Sequence, residues 1–257
     1  MPSIYVTGDI HGEPSRLNIE NFPEQKEMAG TQDENFVIIC GDFGLIWDQT
    51  FESKKERWWL NWLEDKPFTT LWVDGNHENF DRIYSSQYPV EEWHGGKVQK
   101  IRPHVIHLMR GECYEILGKK IFSFGGASSH DIRDGILDPV KDKELIKEWS
   151  RSYYKLFRIN HESWWEKELA SDDEMKHGRE TLAQNGNRVD FIVTHCAPQD
   201  VCYMLSLGSY QPDKMTLYFN ELARCVKFTR WYCGHYHCDA RVMGKFDVMY
   251  EKVQRIL

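Results

Sequence analysis

The chain has 257 residues, 41% of them hydrophobic, and a formal net charge of −8. That length allows one generous domain or two small ones. No apolar run is long enough to span a bilayer, and the acidity argues against non-specific nucleic-acid binding, which rests on lysine and arginine neutralising phosphates. The seven cysteines are scattered and odd in number, which favours free thiols over a disulfide framework. Cys225, Cys233 and Cys238 form no C-x-x-C pair, so a zinc-thiolate site is not expected. Met1-Pro2-Ser3-Ile4-Tyr5 lacks a charged-then-apolar leader pattern, and a cytoplasmic location is expected.

In chain order, Ile4 to Thr7 reads as a buried strand, Glu13 to Phe22 as a helix and Pro23 to Asn35 as a polar loop. Phe36 to Cys40 is a second β-branched strand. Glu52 to Glu64 predicts an amphipathic helix with Trp58, Trp59, Trp62 and Leu63 on one core-facing side. Thr69 to Val73 is a third strand. This βαβα rhythm implies parallel pairing with right-handed crossovers. Val98 to Ile101, His104 to Met109, Glu112 to Leu117 and Lys119 to Phe124 follow as short strands between turn residues. A helical region is expected from about Pro139 to Gln184, with Ser171 and Glu174 as a capping box. Val189 to Val193 returns to buried strand, and Asp213 to Val226 is a further helix. Thr229 to Cys233, Ala240 to Met243 and Phe246 to Tyr250 close the chain as strands, the last two a hairpin. With no internal repeat and no linker-like stretch, residues 1–257 read as one domain of two packed sheets with helices outside.

Five segments place metal-binding side chains just after a hydrophobic strand. They are Gly8-Asp9-Ile10-His11-Gly12, Gly41-Asp42-Phe43-Gly44, Gly75-Asn76-His77-Glu78, Thr194-His195 and Gly234-His235-Tyr236-His237. Donors this far apart in sequence meet only if their strands lie side by side. Asp9 and His11 are two apart, as are His235 and His237. In extended backbone such pairs share a face and can grip one ion from one side. The neighbouring glycines permit tight turns and close backbone approach. Sites beyond the carboxyl ends of strands are expected in open α/β sheets.

These segments resemble the calcineurin-like metallophosphoesterases, with their D-x-H, G-D, G-N-H-[DE], H and G-H-x-H motifs in this order. The resemblance implies an α/β fold, a four-layer α/β/β/α sandwich of two mixed sheets. It also implies two divalent transition-metal ions: one held by Asp9, His11, Asp42 and His237, the other by Asp42, Asn76, His195 and His235. Nitrogen and oxygen donors without thiolate suit manganese, iron, zinc or nickel. Two ions, two carboxylates and a shared hydroxide leave about +1 by formal counting, which attracts a phosphate even within an acidic protein. The implied activity is phosphatase or phosphodiesterase action on a small or nucleotide-like phosphoester. The shared hydroxide attacks phosphorus directly, and His77 donates a proton to the leaving oxygen or stabilises its charge. No covalent phosphoenzyme is expected.

The chain departs from the Ser/Thr protein phosphatases, which continue the second motif as G-D-x-V-D-R-G. Leu45 and Ile46 stand where that branch has an orienting aspartate and a phosphate-gripping arginine. Asp48 or Glu78 is then expected to orient His77. Gly125-Gly126-Ala127-Ser128-Ser129-His130-Asp131-Ile132-Arg133 and Trp164-Trp165-Glu166-Lys167-Glu168 resemble a bacterial and phage subgroup with G-G-A-x-S-x-D and W-W-x-x-E stretches. Arg133 is the candidate for the missing phosphate contact.

The blander readings are that Trp58, Trp59 and Trp62 are core and that Trp164 and Trp165 are core with one ring facing the site. The remaining histidines are surface or packing residues, His130 being the least settled. Cys40, Cys196 and Cys233 are small apolar packers. Two alternative functions stand against hydrolysis: a non-catalytic scaffold for protein partners, and end-processing of nucleic acid. The scaffold is disfavoured because every ligand and His77 are present, the second because of the acidity. No membrane partner is expected.

Overall fold

A computed structural model describes residues 2–28 and 30–257. Its strands are β1 Ser3–Thr7, β2 Asn35–Ile39, β3 Thr69–Trp72, β4 Val90–Trp93, β5 Gly96–Arg102, β6 Val105–Leu108, β7 Glu112–Ile116, β8 Lys119–Phe124, β9 Gly135–Leu137, β10 Phe157–Ile159, β11 Phe191–Thr194, β12 Arg230–Cys233, β13 Ala240–Val242, β14 Phe246–Val248 and β15 Gln254–Arg255. The helices are α1 Lys54–Glu64, α2 Phe80–Ile83, α3 Lys143–Trp149, α4 Asp172–Gln184, α5 Gln199–Leu205 and α6 Lys214–Cys225.

One sheet has seven strands in the order β15-β1-β2-β3-β6-β5-β4, the other six in the order β13-β14-β12-β11-β8-β7. Strands β1, β2, β3 and β6 run parallel in the first, and β8, β11, β12 and β14 in the second. Antiparallel strands close the edges of both. Every residue of β1, β2, β3 and β11 is buried, as parallel strands covered on both faces require.

Three apolar clusters define the layers. Ile4, Val6, Ile38 and Leu71 of the first sheet pack with Ile121, Phe191, Val193 and Tyr232 of the second, forming the interface between sheets. On the outer face of the first sheet, Val37, Ile39 and Trp72 meet Leu60 and Leu63 of α1. On the outer face of the second, Phe122, Ile192 and Trp231 meet Met175 and Leu182 of α4 and Phe219 and Leu222 of α6. The sequence is thus helices, sheet, sheet, helices, the expected α/β/β/α sandwich.

Several expected elements take another form. Glu13 to Phe22 holds a single 3-10 turn, Pro14–Leu17. Asn18 turns extended and its side chain accepts from the amides of Glu20 and Asn21, which ends the helix. The polar loop contains 3-10 turns at Pro23–Glu27 and Gln32–Glu34; its Ala29 lies outside the described residues. Helix α1 is capped as a box by Ser53 and Glu56. Its buried stripe is Glu56, Leu60 and Leu63, while Trp58 is exposed and lies edge-on against Trp59. Leucine spacing and the buried Glu56–Arg82 pair set the inward face, so Trp58 is a surface residue and not core.

The expected helical region from Pro139 to Gln184 is broken. Only α3 and α4 are helical; between them β10 pairs with β9, and Trp164 and Trp165 precede a 3-10 turn at Glu166–Glu168. Ser171 and Glu174 do form the capping box that starts α4. Strands β4, β9, β10 and β15 and helices α2 and α5 had no counterpart in the sequence reading.

Candidate metal centre

The parallel strands of both sheets end on one side of the sandwich, and their loops interlock there. The amides of Ile10 and His11 donate to the Asp42 carbonyl at 3.2 and 2.8 Å. Within the second sheet the Gly234 amide donates to the His195 carbonyl at 2.9 Å, and across the sheets the Gly126 amide donates to the Asp74 carbonyl at 2.8 Å. Loops after β1, β2, β3, β8, β11 and β12 therefore form one floor.

The close approach depends on missing side chains. A Cβ on Gly75 would collide with the Asp42 carboxylate, and one on Gly234 with the Asp9 carboxylate. In their place, main-chain amides hold the acids. Asp42 Oδ1 accepts from the Asn76 and His77 amides at 2.9 and 2.8 Å, and both oxygens of Asp9 accept from the His235 amide at 3.0 Å.

Two donor groups result. Ligand atoms of Asp9, His11 and His237 lie within 4.8 Å of one another, as do those of Asp9, Asp42 and His195. In the first, His237 Nε2 is 2.9 Å from His11 Nε2 and 3.3 Å from Asp9 Oδ2. In the second, His195 Nε2 is 3.3 Å from Asp42 Oδ1 and 3.1 Å from Asn76 Oδ1. Asn76 Nδ2 donates to Ser129 Oγ at 3.3 Å.

The expectation of extended i, i+2 pairs is corrected. His11, Asp42, His235 and His237 all have left-handed backbone, with φ of 45°, 44°, 71° and 47°. The turn splits the last pair: His237 meets His11, while His235 Nε2 lies 2.8 Å from His130 Nε2. Four strained non-glycine residues among the candidate ligands follow the rule that such strain gathers at functional sites.

The donor set suits cations. Asp9 and Asp42 are buried, and imidazoles and main-chain amides among the described residues face their carboxylates. Burial raises Asp42, but the His195 charge beside it overrides this and holds its carboxyl well below the usual range. Burial likewise lowers His195, yet Asp42 and Asp9 push it up to about 10. The pocket thus demands positive charge close to both acids, which divalent ions would satisfy. Burial, with the neighbouring His195 and His130, holds His235 well below the usual histidine range.

A model of the calcineurin-like phosphoesterase family matches residues 2–239. The chain belongs to this family. Among curated proteins no match was found. As a calcineurin-like phosphoesterase it hydrolyses phosphoric esters and uses a pair of divalent metal ions, for which the clustered aspartates and histidines are the candidate ligands. No helix among the described residues is long and apolar enough to cross a membrane.

In this phosphoesterase His77 sits beside the candidate ligands, its ring centroid 5.3 Å from that of His11. Burial lowers its pKa; Asp42 acts against that, and Arg158 reinforces it. Neither expected orienting carboxylate reaches it. Glu78 is buried, accepting from the Phe43 and Gly44 amides at 2.7 and 3.1 Å. Burial and Asp42 raise its pKa well above the usual carboxylate range. Asp48 contributes main-chain bonds, its amide to Glu56 and its carbonyl to Asn79 and Arg82.

Arg133 lies on the surface, with a side chain 71% exposed and 3.6 Å from Asp134. The guanidinium whose charge reaches His77 belongs to Arg158 on β10, ion-paired with Asp131. Trp165 is buried and packs edge-on against Trp47, whose ring is 6.5 Å from His77.

Behind the centre runs a fully buried polar chain. Gln99 meets His107 at 3.0 Å, His107 meets Asp74 at 3.2 Å, and Arg110 Nε donates to Asp74 at 2.9 Å. Burial raises Asp74, but Arg110 and His107 bring it down to about 2. Asp74 opens the loop that carries Asn76 and His77, so this chain anchors it. His107 read as a packing residue; only its place on β6 beside β3 reveals the link.

Proposed function

We propose that the chain hydrolyses a small or nucleotide-like phosphoester at a dinuclear centre formed by Asp9, His11, Asp42, Asn76, His195, His235 and His237. When bound, two divalent ions would lower the pKa of a water molecule and clamp the phosphoryl oxygens for in-line displacement. The observation carrying the reading is that Asp9, His11 and His237 gather in one donor group while Asp42 and His195 gather in a second, with Asp9 within reach of both. Asp42 bridges in this reading, its two oxygens facing His195 on one side and His11 on the other.

The protein's own groups do the rest. His77 stands next to the donors and gives a proton to the departing oxygen, or stabilises its charge. Arg158, held on β10 by its ion pair with Asp131, is proposed in place of the exposed Arg133 as the group that would hold a phosphoryl oxygen. A cavity of about 310 Å³ opens from His11 and His77 toward Leu45, Trp47, Ser53 and Lys55. It would take the alcohol part of the ester, and its volume suits a small group. Buried Glu56 fixes its wall by accepting from the Trp47 and Asp48 amides at 2.6 and 2.7 Å.

Manganese is the first metal to test, and the unpaired state of all seven cysteines supports a reducing, cytoplasmic setting. The deciding experiment is a screen of phosphomonoesters, phosphodiesters and nucleotides with manganese-loaded protein. Turnover of one class supports hydrolysis. A folded, metal-loaded sample that turns over none supports the scaffold reading.

A further inference from the structure

We infer that the loop after β8, residues 125–131, is a clamp for the second metal position, built from Ser129, Glu168 and His130. This rests on the dinuclear reading above and adds three positioning residues to it. None of them is a proposed ligand.

The clamp acts on two ligands. The Ser129 amide donates to Glu168 Oε1 at 2.9 Å and its hydroxyl to Glu168 Oε2 at 2.6 Å. With its proton committed to Glu168, Ser129 Oγ can only accept from Asn76, and it does so from Nδ2 at 3.3 Å. That contact fixes which end of the amide points outward. Asn76 Oδ1 is thereby turned to His195 and the donor cluster, 3.1 Å from His195 Nε2. All three residues are buried, so no solvent competes. Without Ser129 the amide can rotate, and its NH₂ would then face the ion as readily as its oxygen.

His130 acts on the other ligand. A ligating imidazole needs its second ring nitrogen held by a partner, which sets tautomer and ring direction. His195 shows the pattern: its Nδ1 donates to the Cys40 carbonyl at 2.8 Å, leaving Nε2 for the cluster. For His235 the nitrogen in use is Nε2, 2.8 Å from His130 Nε2. If His130 accepts, His235 carries its proton on Nε2 and presents the Nδ1 lone pair to the ion. The His130 ring is steadied by stacking on Tyr210, with centroids 5.5 Å apart and planes 10° from parallel. Ser129, the neighbouring residue, anchors its backbone.

The first position has a different support. The His11 and His237 ring nitrogens meet one another and the acids, with Tyr250 stacked on His237 and His77 edge-on to His11. Among the described residues, no outer hydrogen-bond partner like His130 or Ser129 is found there. Loss of the clamp should therefore weaken one ion and spare the other. The test is manganese titration of metal-free protein by calorimetry, with electron paramagnetic resonance to distinguish coupled from isolated ions. Wild-type protein should take up two ions. Ser129→Ala and His130→Ala should each weaken one binding step by about 10- to 100-fold and leave the other unchanged. An isolated-ion signal should appear at one equivalent. Glu168→Gln, which keeps acceptor oxygen toward Ser129, should fall less than Glu168→Ala. Wild-type uptake of fewer than two ions would sink the dinuclear reading itself. Wild-type uptake of two, with both steps unchanged in the Ser129 and His130 variants or both weakened alike, would overturn the clamp alone.

Discussion

The two proposed metal positions share a floor but differ in how their candidate donors are held. At the first, the His11 and His237 side chains are 34% and 51% exposed and are set by left-handed turns. At the second, His195 is fully buried and Asn76 is fixed from behind by Ser129. Left-handed turns serve both positions, since His235 also sits on one, but the second adds packed side chains from distant elements. The difference teaches that equivalent ligands in a motif need not be equally secure.

Removing what the two positions have in common should have the largest effect. Asp42→Ala takes away the proposed bridging carboxylate and should abolish uptake of the second equivalent of manganese and bring turnover to background, measured by calorimetry and ester hydrolysis. His77→Ala leaves both positions intact. It should slow turnover by about 10²- to 10⁴-fold with two ions still bound, and unchanged kinetics on every substrate would remove His77 from the mechanism. Chelation sharpens the contrast further. Metal loss to a chelator should be biphasic, the faster phase belonging to the exposed first position. Asp42-independent, single-phase release of both ions would show that exposure does not set the rates.

The smallest effect concerns acid. Asp74 is held down to about 2 by Arg110 and His107 against the burial that raises it. Its folded value is depressed, so the stabilisation is complete above its unfolded value of about 3.9. It is lost as pH falls through about 2. Thermal melts from pH 5 to pH 2 should show this loss, and Asp74→Asn should remove that part of the pH dependence.

Much of this was legible in the sequence, for local reasons. Hydrophobic runs before Gly-Asp, Gly-Asn, Thr-His or Gly-His marked β1, β2, β3, β11 and β12, because burial on both faces leaves little alternative. The Ser171–Glu174 capping box placed the start of α4. The ligand stretches were visible because their chemistry is dense in short segments. What escaped depends on contacts between distant residues. Arg158 carried no local signal; β10 brings it toward His77 by pairing with β9. Ser129 and Glu168 stood in stretches that were noticed, but only the fold brings a 3-10 turn at Glu166–Glu168 against the loop after β8. Trp58 read as core because aromatic content outweighed the phase of the leucines. The His235–His237 pair read as one grip because the left-handed turn between them cannot be seen in residue spacing.

The most direct test of the whole account is anomalous diffraction from crystals of the manganese-loaded protein. Two peaks roughly 3.5–4 Å apart are expected, with Asp42 between them, Asp9, His11 and His237 around one, and Asn76, His195 and His235 around the other. A single peak, or peaks away from these residues, would contradict it.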